Sequence, residues 1–91
     1  MSGGLERRLA ELVAEASEGA VSAEAALAGE HSLSALGLTS LARIRLVDAI
    51  EDVFGVDVDL GAGPGADLST AEHVGDLAAA VAPLLKRRQA S

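Results

Sequence analysis

Residues 33–60 read LSALGLTSLARIRLVDAIEDVFGVDVDL, and they hold the clearest apolar pattern in the chain. After Thr39 and Ser40, either of which suits a helix N-cap, apolar residues recur every three or four positions up to Gly55, a common helix stop. The recurring residues are Leu41, Ile44, Val47, Ile50 and Phe54. This spacing predicts an amphipathic helix over 40–54 with Ser40 at its first turn.

Upstream of this segment, a second amphipathic pattern occupies the start of the chain. Apolar residues at positions 5, 9, 12, 13 and 16 would lie on one face of a helix, and charged residues would fill the other face. This pattern predicts a helix over about 5–17 that ends before Gly19. Residues 19–39 then form a long connection, in which only 23–28 favour a turn or two of helix. Because a loop of this length is uncommon in a small domain, we interpret it as functional.

Downstream, the alternation over 56–60 is typical of a short strand, but no partner strand is evident and we expect an extended loop over 55–68. The Gly61–Gly65 stretch, which includes Pro64, reads as a linker. The run from Ser69 to Glu72 fits a capping box, so a further helical region is predicted over about 70–86, with a break near residues 73–75 that would divide it in two. Pro83 should end or kink its last turn.

The chain of 91 residues is 49% hydrophobic and 23% charged, which suits a single domain over 1–91. Helices whose apolar faces can be buried only against one another predict an all-α fold, a small irregular bundle of three or four helices with a long first loop. The core must be aliphatic, since the chain has one Phe and neither Trp nor Tyr.

Charge and composition exclude several classes of function. Fourteen acidic and seven basic residues give a net charge of -7, which disfavours nucleic acid and favours basic protein partners. The sequence has no cysteine and no apolar run long enough for a membrane span, and the two histidines lack metal-ligand spacing. We expect no signal peptide, because charged residues occupy positions 6–8 where one would need an apolar stretch. We expect a freestanding, cytoplasmic monomer that binds neither membranes nor metal.

The chemistry centres on Ser40, which follows a Leu-Gly-Leu loop and begins the helix. A helix start has unpaired backbone N–H groups and a partial positive charge, so a phosphate ester on this hydroxyl would lie in a favourable field. A phosphate-bearing group therefore suits this position.

The same segment resembles the carrier proteins of fatty acid, polyketide and nonribosomal peptide synthesis, whose signature is Leu-x-x-Leu-Gly-x-Asp-Ser-Leu followed by a helix that ends in Phe-Gly. The residues that match in order and spacing are Leu33, Leu36, Gly37, Leu38, Ser40, Leu41, Ile50, Glu51, Phe54, Gly55 and Val56. The resemblance implies that Ser40 carries a 4'-phosphopantetheine arm taken from coenzyme A. It implies a non-catalytic carrier that holds an acyl or aminoacyl group as a thioester.

By the same resemblance, the partners are a phosphopantetheinyl transferase, an acyl- or aminoacyl-loading enzyme, and downstream synthase, transferase or tailoring enzymes. Two departures indicate dedicated partners, as in secondary metabolite biosynthesis. Thr39 stands where the family usually has an Asp that assists the transferase and its metal ion, and Arg43 and Arg45 lie on a helix that is typically acidic. The residues expected to contact partners are Thr39, Leu41, Arg43, Ile44, Arg45, Asp48, Glu51, Asp52 and Val56. For Leu41, Ile44 and Val56, packing in the core remains open as the alternative.

Alternative interpretations give Ser40 a smaller role. Ser40 could simply cap its helix, and the chain could be an unmodified acidic adaptor that binds partners through the same helix. His31, Ser32 and Leu33 imitate an attachment motif, but no helix is predicted directly after them, so we treat Ser32 as a decoy. A serine hydrolase built from Ser40, His31 or His73 and an Asp is disfavoured, because Gly37–Leu41 lacks the second glycine of a nucleophile elbow and the chain is too short for that fold.

Overall fold

The computed structural model describes residues 2–58 and 63–90, and within these ranges the chain is helical and contains no strand. The described helices are α1 (Ser2–Ala16), α2 (Ala23–Ala28), α3 (Leu33–Leu36), α4 (Ser40–Phe54), α5 (Gly63–Thr70) and α6 (Val74–Ala90). The predicted all-α bundle is therefore confirmed. Further predictions for 59–62 lie outside the described residues. None of the described helices is both long and apolar enough to cross a bilayer.

Helix α4 has the bounds that its apolar spacing predicts. Thr39 is the N-cap, with an extended backbone and a side chain that accepts a hydrogen bond from the Ala42 amide. Gly55 ends the helix in the left-handed region, at φ 64°, and its N–H donates to the Glu51 carbonyl. Glycine adopts this φ without the steric cost of a Cβ, which explains why the helix ends there.

The predicted long loop over 19–39 is partly wrong: the turn or two of helix expected over 23–28 is present as α2, but the loop also contains α3, which was not predicted. Each of these short helices has a serine N-cap: Ser22 accepts from the Ala25 amide and Ser32 from the Ala35 amide. Each is followed by a glycine in the left-handed region. The two helices are too short to show a repeating apolar pattern. They are specified by their caps and not by periodicity.

The prediction for 55–72 also needs correction. Residues 63–70 form α5, although the predicted loop ran to position 68, and α6 begins at Val74 and not near Thr70. The expected capping box is not used, because the Glu72 carboxylate bonds instead to Ser34. Helix α6 also continues through Pro83 to Ala90. Both Pro83 and Ala79, whose carbonyl loses its usual donor, are exposed, so water can replace the missing hydrogen bond.

The core is aliphatic and is centred on α1. Helix α1 packs against α2, α4 and α6, while α5 packs mainly on α6 and to a smaller extent on α4. The largest fully buried side chains are Leu9, Leu12, Leu33, Leu46, Ile50, Leu68, Leu77, Val13, Val21 and Val81. None of the described polar or charged side chains is buried. The first turn of α4 lies at the edge of this core, which places Ser40 on the surface.

Candidate functional site

Ser40 occupies the first position of α4 and is exposed. Because Thr39 supplies the cap, with its Oγ1 3.1 Å from the Ala42 nitrogen, the Ser40 hydroxyl is not needed for capping. No group among the described residues forms a hydrogen bond with that hydroxyl. Of the two residues that suit an N-cap by sequence, the structure uses Thr39 and leaves the Ser40 hydroxyl available for chemistry.

The turn before Ser40 depends on Gly37, whose φ is 114°. In this conformation the Gly37 amide donates to the Ser34 carbonyl and the Leu38 amide to the Leu33 carbonyl. Leu38 is buried, so the turn is anchored in the core immediately before α4 begins. A residue with a Cβ would be strained at this φ, which is the physical reason for glycine in the Leu-Gly-Leu loop.

The environment of Ser40 suits a phosphate ester. The first turn of α4 contains no acidic residue, so its partial positive charge is not offset within the turn. The amides of Ser40 and Leu41 have no carbonyl one turn earlier in the helix, which leaves donors close to the hydroxyl. A negatively charged group attached here would gain favourable electrostatics without displacing any existing hydrogen bond.

Two large apolar side chains are exposed within about one turn of Ser40. Leu41 is 57% exposed and Ile44 55% exposed, so neither belongs to the core. Ile44 also lines an open groove of ≈ 200 Å³, together with Ser40, Arg43, Val47 and Ser69. The groove runs from the Ser40 turn between α4 and α5. An apolar group held near Ser40 could pack there.

Arg43 is engaged inside the molecule. Its guanidinium lies 2.8 Å from the Glu72 carboxylate, and it donates to the Ala71 carbonyl at 2.6 Å and to the Ser34 hydroxyl at 2.9 Å. The side chain is only 15% exposed. Little of its charge is therefore presented to a partner, which argues against the docking role expected for this residue.

Arg45 lies on the other side of α4 and pairs with Glu18 at 3.2 Å. Both side chains are exposed, and they line a second open cavity of ≈ 200 Å³ that also includes Thr39 and Leu41. An exposed ion pair of this kind contributes little stability and can be broken by an incoming partner. Arg45 thus remains reachable, although its charge is offset within the chain.

The acidic residues of α4 differ from one another in their surroundings. Asp48 and Asp52 are exposed, and no side chain in the described part of the chain pairs with either. Glu51 is half-buried and accepts a hydrogen bond from the Val58 amide at 3.0 Å, which holds the segment after the helix. Val56 is buried at 7% exposure, which favours core packing over direct contact with a partner.

Ser34 and Glu72 are not among the site residues predicted from the sequence. Both bond to Arg43, which lines the groove beside Ser40. The Ser34 amide and hydroxyl both donate to the Glu72 carboxylate at 2.9 Å. These two bonds, with the nearby Arg43 guanidinium, lower the pKa of Glu72 below its usual 4.5 and outweigh the effect of partial burial. The pairing spans 38 positions, and no local pattern could have indicated it.

Comparison with known proteins gave one informative result. The family model described as phosphopantetheine attachment site matches residues 7–81, which includes α2 to α5, the turn at Ser40 and most of α1. Searches of curated proteins and of solved structures found no match.

Proposed function

The chain belongs to the phosphopantetheine attachment site family, and as a carrier protein of that family, we propose, it bears its arm on Ser40 and presents an acyl or aminoacyl group to partner enzymes. The pathway we propose is the synthesis of a secondary metabolite. The family carries 4'-phosphopantetheine as a covalent group, so the cofactor follows from membership, while the attachment residue is our assignment.

One observation carries the assignment to Ser40. Its hydroxyl is exposed, has no partner among the described residues and stands at the start of a helix capped by its neighbour Thr39. Other nearby serines are committed to structure, since Ser32 caps α3 and Ser34 bonds to Glu72 and Arg43. Ser40 is therefore the serine of this region that can be esterified without loss of a native contact.

Once the arm is attached to Ser40, the chain's own residues position it and take no part in the reactions of the cargo. When bound, phosphopantetheine supplies the terminal thiol on which the cargo is held as a thioester, a group that this cysteine-free chain lacks. The start of α4 provides a favourable field for the phosphodiester, and Gly37 and Leu38 fix the turn from which it projects. The rigid helix keeps the attachment point at a constant place on the surface.

The surface next to Ser40 suggests what partners would bind. Leu41 and Ile44 offer an apolar contact, and Asp48 and Asp52 add unpaired negative charge further along the same helix. A partner with an apolar pocket and a basic rim would complement both features. We expect the transferase, the loading enzyme and the downstream enzymes to share such a surface.

The competing proposal is an unmodified adaptor that uses the same face of α4. The carrier needs the Ser40 hydroxyl and the adaptor does not. Ser40→Ala therefore distinguishes the two proposals when the partner reaction is reconstituted. A carrier loses all product with Ser40→Ala and keeps it with Ser32→Ala, which lies in the same region. An adaptor would retain full activity in both variants.

A further inference from the structure

Four residues from three separate segments meet behind the groove at Ser40: Ser34 of α3, Arg43 of α4, and Ala71 and Glu72 of the connection between α5 and α6. We call this set the Arg43 clamp. The Ser34 hydroxyl donates to Glu72 and accepts from Arg43, so the bonds form a closed network. The Leu33 amide adds a bond to the Glu72 carbonyl at 2.7 Å.

We propose that the Arg43 clamp is a latch that holds α5 against α4 and so keeps the groove beside Ser40 narrow. Its importance for the attached group rests on the proposed function, whereas the latch itself is a property of the unmodified chain. Arg43 and Ser69 line the groove from its two sides, and the clamp ties Arg43 to Ala71, two residues after Ser69.

Helix α5 packs more closely on α6 than on α4, so we expect the clamp to contribute to its position beside α4. Among its described side chains, at 67–70, only Leu68 is buried, and the helix packs mainly on α6. The Arg43 guanidinium donates to the Ala71 carbonyl just beyond the last residue of α5. A cation at this place both satisfies a terminal carbonyl and complements the negative end of the helix.

We expect the other helices to stay folded without the clamp. Leu9 of α1, Ile50 of α4 and Leu77 of α6 are fully buried in the core, and none of them is a member of the clamp. A break in the clamp should therefore release α5 locally and leave this core intact, as expected for a low-energy opening unit. Release would widen the groove lined by Ile44 and Val47 and allow a larger apolar group beside Ser40.

The test is amide hydrogen exchange on the full-length, unmodified chain, which does not require Ser40 to be modified. In Arg43→Gln, the amide of Leu68 should exchange about 10- to 100-fold faster, the range expected when hydrogen bonds to a charged group are lost. The amides of Leu9, Leu12 and Ile50 should stay within about twofold of the parent. Arg43→Lys keeps the charge and should restore part of the protection.

The matched control is Arg45→Gln, which removes the exposed Arg45–Glu18 pair on the other side of α4 and should leave exchange in α5 unchanged. Unchanged exchange at Leu68 in Arg43→Gln would overturn the latch. An equal acceleration at Leu68, Leu9 and Ile50 would also overturn it, because the clamp would then support the whole fold and not α5 alone. Neither result bears on whether Ser40 is modified, which is measured separately by mass.

Discussion

The Oγ1 atom of Thr39 lies 3.1 Å from the backbone nitrogen of Ala42 and accepts its hydrogen bond. Thr39 thus performs the capping that an Asp at this place would perform, since both residue types are good N-caps. The departure from the family pattern therefore removes a carboxylate that could assist a metal ion but leaves the helix start intact. The structural and the catalytic roles of this position are separable.

Thr39→Asp should keep the stability of the parent chain and increase the rate of phosphopantetheine transfer to Ser40. Thr39→Ala should lower the free energy of unfolding by about 1 kcal/mol, since a cap is lost. Urea denaturation and a time course of modification measure the two effects. A large loss of stability in Thr39→Asp would show that the cap does not explain the role of Thr39.

Gly37→Ala should destabilise the chain by about 1–2 kcal/mol, because φ of 114° is costly for a residue with a Cβ. The matched control is Gly75→Ala, at a helical position in α6. An added Cβ meets nothing within 4 Å at either site, so neither variant introduces a steric clash with a neighbour. The two sites differ in the backbone φ, which is positive at Gly37 only. The control should be neutral or stabilising by up to about 1 kcal/mol. Equal effects in urea denaturation would contradict this account of the turn.

The lowered pKa of Glu72 predicts a component of stability that depends on pH. The folded protein holds this carboxylate in its charged form, so the contribution is fully present above the ordinary value of 4.5 and is lost as pH falls through the lowered folded pKa. Compared with the parent, Glu72→Gln should therefore lose less stability between neutral pH and pH values below 4.5. Ser34→Ala removes the hydroxyl bond to the Glu72 carboxylate but keeps the larger contribution from the Ser34 backbone amide, so it should flatten the dependence in the same direction and to a smaller extent. Identical slopes in parent and Glu72→Gln, measured by urea denaturation across pH, would refute the assignment.

Leu41→Asn and Ile44→Asn should weaken recognition without unfolding the chain. Because both side chains are more than half exposed, the free energy of unfolding should change by less than about 0.5 kcal/mol. KM for the transferase should rise in each variant. Val53→Asn is the control, since Val53 is also exposed, at 42%, but lies near the far end of α4. A similar rise of KM in the control would mean that general surface polarity, and not the Ser40 turn, decides recognition.

Sequence reasoning works best where one element contains its own signals. The period of α4, its cap and its glycine stop are all local, so its bounds and the position of Ser40 can be read directly from the chain. Helix α3 is four residues long and cannot display a period, and α5 begins Gly-Pro-Gly, a composition typical of linkers.

Contacts between distant segments, which compete with local signals, explain the remaining differences between the predicted and the observed structure. Glu72 follows Ser69 at the spacing of a capping box, but Ser34 and Arg43 take its carboxylate instead. Arg43 looks like a surface charge on an amphipathic helix until its partners 28 and 9 positions away are known. Contacts between distant segments decide such positions, and a single sequence does not contain them in local form.

The most direct test of the central claim is intact mass followed by peptide mapping, after incubation of the chain with coenzyme A, magnesium and a promiscuous phosphopantetheinyl transferase. The carrier proposal predicts one phosphopantetheinyl addition, mapped to Ser40, retained in Ser32→Ala and absent from Ser40→Ala. No addition with several transferases, or an addition that persists in Ser40→Ala, would contradict the assignment of Ser40.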